Sequence, residues 1–287
     1  MSVKRAPIVA LVCTPKMLPR KDWVAAARTA STINPVNHPP VEQLARAMKG
    51  FAPTPQRIAV LTTKYWGTKG VRLTVGFLDT PPAALRTRIM SHLNAWGKSA
   101  NVQFVQTQST AQVRIARVGG RDGGYWSYLG TDILSIPRNQ PTMNLEAFTM
   151  ETPEAEFHRV VRHEAGHTLG FPHEHMRRAL VQLIDPKKAI ALFKATQGWS
   201  DQEVRQQVLT PIEESSLLST TADPKSIMCY QIPGSITKNG KPIIGGLDID
   251  ASDFAFVAKI YPKRGAAPAK VATPGHKSTR RKRRRRA

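Results

Sequence analysis

His163 to His175 reads HEAGHTLGFPHEH, four histidines, two glutamates and two glycines in thirteen residues. On an α-helix, His163 and His167 are four residues apart, about 40° around the axis, so both imidazoles project from one face. Such a pair clamps a metal, and Glu164 is placed beside it to hold a water rather than to ligate. A catalytic zinc usually takes three protein ligands and keeps one position open. Gly170 supplies the route to the third: a glycine three residues after His167 adopts positive φ, turns the chain under the helix and returns His173 toward the metal. His175 points away if the segment is extended. His158, about 140° around the helix from His163, is off the ligand face.

Working outward, the helix has a legible start, with Thr152 as cap, Pro153 in the first turn, and Glu154 and Glu156 complementing the positive end of the dipole. Upstream, VRLTVGF alternates Val71, Leu73, Val75 and Phe77 as a half-buried strand does. Leu85, Ile89, Leu93 and Trp96 recur at helical spacing, predicting an amphipathic helix over Pro82 to Lys98. VQFVQ, AQVRIARV and YWSYLG read as further strands, with GGRDGG as a turn. Strands and a helix before the histidine cluster predict an α+β fold, a mixed sheet with helices packed against it.

The chain of 287 residues is 41% hydrophobic, enough to bury a sizeable core. Residues 1–55 carry two short helix-like pieces, DWVAAARTAS and VEQLARAM, and proline-rich joints. They read as an amino-terminal appendage or propeptide-like segment, residues 56–262 as the catalytic domain, and residues 263–287 as a disordered basic tail. Half of the formal net charge of +22 lies in that tail, whose run at 280–286 suits non-specific polyanion binding. Cys13 and Cys229, the only cysteines, do not form a disulfide framework. No stretch approaches the roughly 20 apolar residues needed to span a bilayer, and the opening is a poor signal peptide. The expectation is a soluble protein, cytoplasmic or non-classically exported rather than classically secreted. Oligomeric state leaves no trace in the sequence.

HExxHxxGxxH is the signature of the metzincins, and with Phe171 after the glycine and Glu174 after the third histidine the segment resembles the astacin branch. SIMCY fits the methionine turn of that group, Ser226, Met228 and Tyr230 matching Ser-x-Met-x-Tyr. The resemblance implies a zincin-like domain, with Met228 as the apolar floor beneath the zinc and Tyr230 as a movable fifth ligand that turns to the oxyanion. It implies that Glu174 links the site to a mature amino terminus, that YWSYLG is the edge strand along which substrate aligns, and that Asp253 to Tyr261 is the closing helix. Acidic residues expected after Arg177 are absent, as are the family's disulfides and its aspartate-based latency motif. Cys13 stands in the leader, but nothing around it marks it as a zinc-blocking thiolate in the manner of other metzincins.

The expected function is a zinc-dependent endopeptidase acting on protein or peptide substrates. One zinc on His163, His167 and His173 activates a water, Glu164 is the general base and then the acid, and Tyr230 meets the oxyanion. Two alternatives are a zinc-bearing binding module without turnover, which typically lacks the glutamate, and a polyanion- or nucleic-acid-binding protein acting through its tail. No aromatic-interleaved groove or recognition helix accompanies that tail.

Overall fold

Val71, Leu73 and Val75 are buried while Arg72 is exposed, so the alternation read from VRLTVGF sets one face of a strand against a core. In the computed structural model, which describes residues 13–14, 16–42, 54–211 and 222–263, this strand is β1 (Val71–Phe77) of a five-stranded sheet. The others are β2 (Val102–Gln106), β3 (Val113–Ala116), β4 (Tyr125–Ser127) and β5 (Met143–Leu145), in spatial order β2-β1-β3-β5-β4. β1 runs parallel to β2 and β3, β3 parallel to β5, and only β4 is antiparallel, at one edge. The expected mixed sheet is therefore present. β3 is buried along its whole length, as inner parallel strands are.

The helical stripe after β1 becomes α3 (Ala83–Leu93), which buries Leu85, Ile89 and Leu93, and the chain tightens into a 3-10 turn at Asn94–Lys98. These residues, Trp96 and the inner face of the sheet form the main core with Phe157, Val160, Val161 and Leu169 of the histidine-bearing helix. A second core gathers Leu180, Ile184, Ala189, Phe193, Val204, Ile232 and Ile236 around a later helix, Pro186–Gln197, started by Asp185 and stopped by Gly198. The histidine cluster lies where the two cores meet. The closing helix spans Ala251–Ile260 and opens with a reciprocal Asp250–Asp253 capping box.

Ahead of the sheet, α1 (Trp23–Ile33) packs against α2 (Pro55–Leu61). Asn37, buried, donates to Ala30 O and Tyr65 O and accepts from Tyr65 N, while Asn34 donates to Trp66 O. Two buried asparagines thus hydrogen-bond the amino-terminal segment to the start of the domain. No helix among the described residues is long and apolar enough to cross a membrane. The start of the chain, most of VEQLARAM and the basic run at 280–286 lie outside the described residues.

Candidate metal centre and active site

The histidine-bearing helix runs without a break from an α turn, Glu154–Glu156, through a π turn, Phe157–Val161, into α4 (Arg162–Thr168). Its start differs from the sequence expectation. Pro153 is the N-cap, no side chain caps it, and the Thr152 hydroxyl accepts from Thr149 N instead. Its end is held by two rings. Trp66 Nε1 donates to Thr168 O and the Tyr261 hydroxyl donates to Leu169 O, so carbonyls that a helix terminus leaves orphaned find partners, while Trp96 Nε1 donates to Arg162 O further up the helix. Gly170 follows at φ 97°, and a Cβ there would lie 2.9 Å from Lys64 O. Gly170→Ala is expected to cost about 1–3 kcal/mol through backbone strain alone, and a melting curve lowered by several degrees checks it.

That turn returns His173 to the face carrying His163 and His167. The His163 and His173 Nε2 atoms are 3.2 Å apart, those of His167 and His173 3.0 Å. His163 Nδ1 donates to Ile227 O at 2.6 Å and His167 Nδ1 to Phe171 O at 2.7 Å. Protons held at Nδ1 leave lone pairs at both Nε2 atoms, directed at one point. Burial pushes His163 down to about 4 and the other two well below the usual imidazole range, so all three are neutral near pH 7. Converging lone pairs 3 Å apart repel unless a cation lies among them. Tetrahedral zinc with bonds of about 2.0–2.1 Å would set nitrogen separations of about 3.3–3.4 Å, so the donors fit such an ion with a shift of a few tenths of an ångström.

Glu164 is fully buried, and neither carboxylate oxygen has a hydrogen-bond partner of the ordinary kind. Burial raises its carboxyl to about 8. A buried acid beside His163 in one cavity suits a group that exchanges protons with something bound there.

The Met-turn segment is fastened to this helix at several points. Gly166, between the histidines, packs so closely on Met228 that a Cβ there would meet its Sδ at 2.4 Å. Glu174 N donates to Met228 O. Asp253 accepts from the Ser226 hydroxyl at 2.6 Å and from Ile227 N at 2.9 Å, which fixes the carbonyl that orients His163. Tyr230 stacks on His175 with ring centroids 3.9 Å apart, and its ring lies 4.3 Å from that of His173. His175 is buried, with Nε2 against Gln207 O at 3.0 Å, so it braces the tyrosine. His158 bonds Asp248 and Glu154 on another face. Glu174 accepts from Asp223 N.

The residue that the sequence reading weighed and set aside is Cys13. Its sulfur and the nitrogens of His163, His167 and His173 all lie within 4.8 Å of one another. Cys13 and Lys16 add to the edge of the sheet: Cys13 pairs with Tyr125 and Lys16 with Tyr128, both parallel, and Thr14 N donates to Tyr125 O. The Tyr230 hydroxyl donates to the Cys13 carbonyl. Burial and the Glu164 carboxylate push the Cys13 thiol far up. The sequence offered only one signal, a lone cysteine in a leader, because the contacts that define its role are about 150 residues away.

Comparison with known proteins agrees with this geometry. The family model of astacin, a peptidase family, matches residues 61–246. A solved structure of myroilysin aligns with TM-score 0.65 and 32% identity over 70% of this chain and 96% of that one; a second crystal structure of myroilysin gives 0.54 and 32% over 70% and 86%. High choriolytic enzyme 1, a hatching-enzyme zinc-protease from the medaka fish Oryzias latipes, aligns at 18% identity over 68% and 92% with TM-score 0.45. No curated protein sequence matches the chain. A mixed sheet, three histidines at the turn of a helix and a family match over most of the domain define a zinc metalloendopeptidase. The chain belongs to the astacin family, whose members use one catalytic zinc. Secreted members are common in that family, so the cytoplasmic leaning gains no support.

Proposed function

We propose that His163, His167 and His173 hold the zinc, that Glu164 is the proton-transfer group, and that Tyr230 stabilises the oxyanion during peptide-bond hydrolysis. The observation that carries this is the convergence of three neutral imidazoles, two of them oriented by backbone carbonyls, on one point next to a buried carboxylate. Zinc bound there supplies Lewis-acid polarisation and brings the pKa of a water to about 7. Glu164 takes the proton as water attacks the scissile carbonyl and returns it to the leaving amine. Tyr230, held by its stack on His175, donates to the carbonyl oxygen as charge develops. Its bond to the Cys13 carbonyl supports that role, because the phenol there already engages a peptide oxygen. The substrate is a protein or peptide, and residues 56–262 are read as the catalytic domain.

The docked leader gives the same site a second state. Cys13 takes the place at the histidines that a reacting water needs, and Cys13 and Lys16 bridge to Tyr125 and Tyr128 along the β4 edge, so the full chain is read as latent. Cobalt(II) exchanged into the site tests this. The wild-type protein is expected to show an intense near-ultraviolet thiolate-to-cobalt band, Cys13→Ser to lack it, and the variant to hydrolyse peptide faster. A wild-type spectrum without that band would remove Cys13 from the metal.

A further inference from the structure

On another face of the histidine-bearing helix, Arg162, the residue before His163, ties three segments of the chain together. Its Nη1 donates to Asp248 Oδ1 at 2.6 Å, its Nε to His92 Nδ1 at 3.2 Å and its Nη2 to His158 Nε2 at 3.2 Å. His92 belongs to α3, His158 to the π turn, and Asp248 to the segment that leads into the closing helix. Glu154 Oε1 lies 3.1 Å from His92 Nε2 and 3.3 Å from His158 Nε2, Arg88 occupies its other oxygen, and Asp248 Oδ2 lies 2.9 Å from His158 Nδ1. A guanidinium only donates, so these contacts fix the protons on both rings. His92 accepts at Nδ1 and carries its proton at Nε2, toward Glu154. His158 accepts at Nε2 and carries its proton at Nδ1, toward Asp248. The two rings differ in what a second proton does. On His158 it goes to Nε2, where Glu154 Oε1 receives it. On His92 it goes to Nδ1, where the partner is the Arg162 N–H, so a hydrogen bond is lost and two cations face each other.

We propose that His92 is a positioning residue for the metal-binding helix: as a neutral acceptor it holds Arg162, and with it the start of the turn that carries His163, and the proton it takes in acid releases that hold and sets the lower pH limit of peptide hydrolysis. The inference rests on the peptidase reading above. His92 is buried, with the Phe157 and His158 rings each 5.2 Å away between centroids. The charged and titratable groups that face it are Arg88 from its own helix and Glu154, His158 and Arg162 from the metal-binding helix, while Asp248 acts on it through Arg162 and His158. Burial holds its imidazole below the usual range; Glu154 opposes that, and Arg162, His158 and Arg88 add to it. The unfolded chain, with an ordinary imidazole, therefore takes the proton first as pH falls. The stability that His92 contributes is complete above about pH 6.5 and is lost as pH falls through its folded-state value.

The test compares His92→Gln with His158→Gln, both in the zinc-loaded Cys13→Ser full chain. A glutamine at position 92 keeps an acceptor for Arg162 and a donor for Glu154 but does not titrate. At pH 8 the His92→Gln protein is expected to match its parent in kcat and in zinc per chain. Toward pH 5 its acid limb is expected to lie about one pH unit lower, which is about 10-fold more kcat on that limb, and its unfolding to take up about one proton fewer. His158→Gln is expected to leave the limb where the parent has it. Ring nitrogen shifts of His92 in the parent read the same point without a substitution: at pH 7 Nδ1 is expected to be bare and Nε2 protonated. The reverse tautomer, or an acid limb and proton uptake that His92→Gln does not move, overturns the role of His92 and leaves the peptidase standing. Absence of any hydrolysis that depends on Glu164 overturns the peptidase reading and this inference with it.

Discussion

Glu164→Gln is expected to keep one zinc per chain, melt within a degree or two of the parent, and hydrolyse peptide about 10²–10⁴-fold more slowly. The carboxylate is fully buried with the Cys13 thiol as its side-chain partner, and an amide of equal volume fills the same space. Its loss removes a buried carboxylate that lines the same cavity as His163, and the neighbouring carboxylate Glu174 is occupied by the Asp223 amide. Zinc content measured beside single-turnover kinetics decides the matter. Parental rates in the variant would exclude Glu164 as the base, and loss of zinc would make it a ligand.

Tyr230→Phe is the second large effect. The ring should remain in place, because its stack on His175 and its packing beside Cys229 and Ile232 do not involve the hydroxyl. Removing one oxyanion donor typically costs about 10²–10³ in turnover, or roughly 3–4 kcal/mol. kcat and kcat/KM are expected to fall together while KM and zinc content hold, the pattern of an interaction made only in the transition state. A full-rate Phe variant would leave the three-histidine site intact and reduce Tyr230 to a packed ring.

How far the sequence could be read depended on how local each determinant was. His163, His167 and Gly170 are set by helical spacing and one positive-φ turn, so the arrangement that brings His173 back was legible in eleven residues. β1 and α3 were legible because each repeats its apolar residues at its own period. β5 was not. Met143–Leu145 is three residues long and fully buried, and Asn144 holds its position by bonding the backbone of Val118 and Gly124, contacts no period encodes. Thr152 has the chemistry of a cap but turned to a local loop bond, a competition that side-chain hydroxyls often settle against the helix. His175, expected to point away from the metal, packs as the brace of Tyr230, and Cys13 reached the metal centre only through pairing along β4. Determinants of those two kinds are tertiary and leave no pattern in the chain.

Peptide hydrolysis by this chain is proposed to run on a single metal held by three histidines. The direct measurement removes the metal from the purified Cys13→Ser protein, free of the latent state, with 1,10-phenanthroline, follows hydrolysis of a casein substrate, and then restores zinc while counting ions per chain by native mass spectrometry. Hydrolysis is expected to disappear with the metal and to return as occupancy reaches one zinc, and His173→Ala in the same background to bind zinc poorly and stay inactive. Undiminished hydrolysis by the metal-free protein would contradict it.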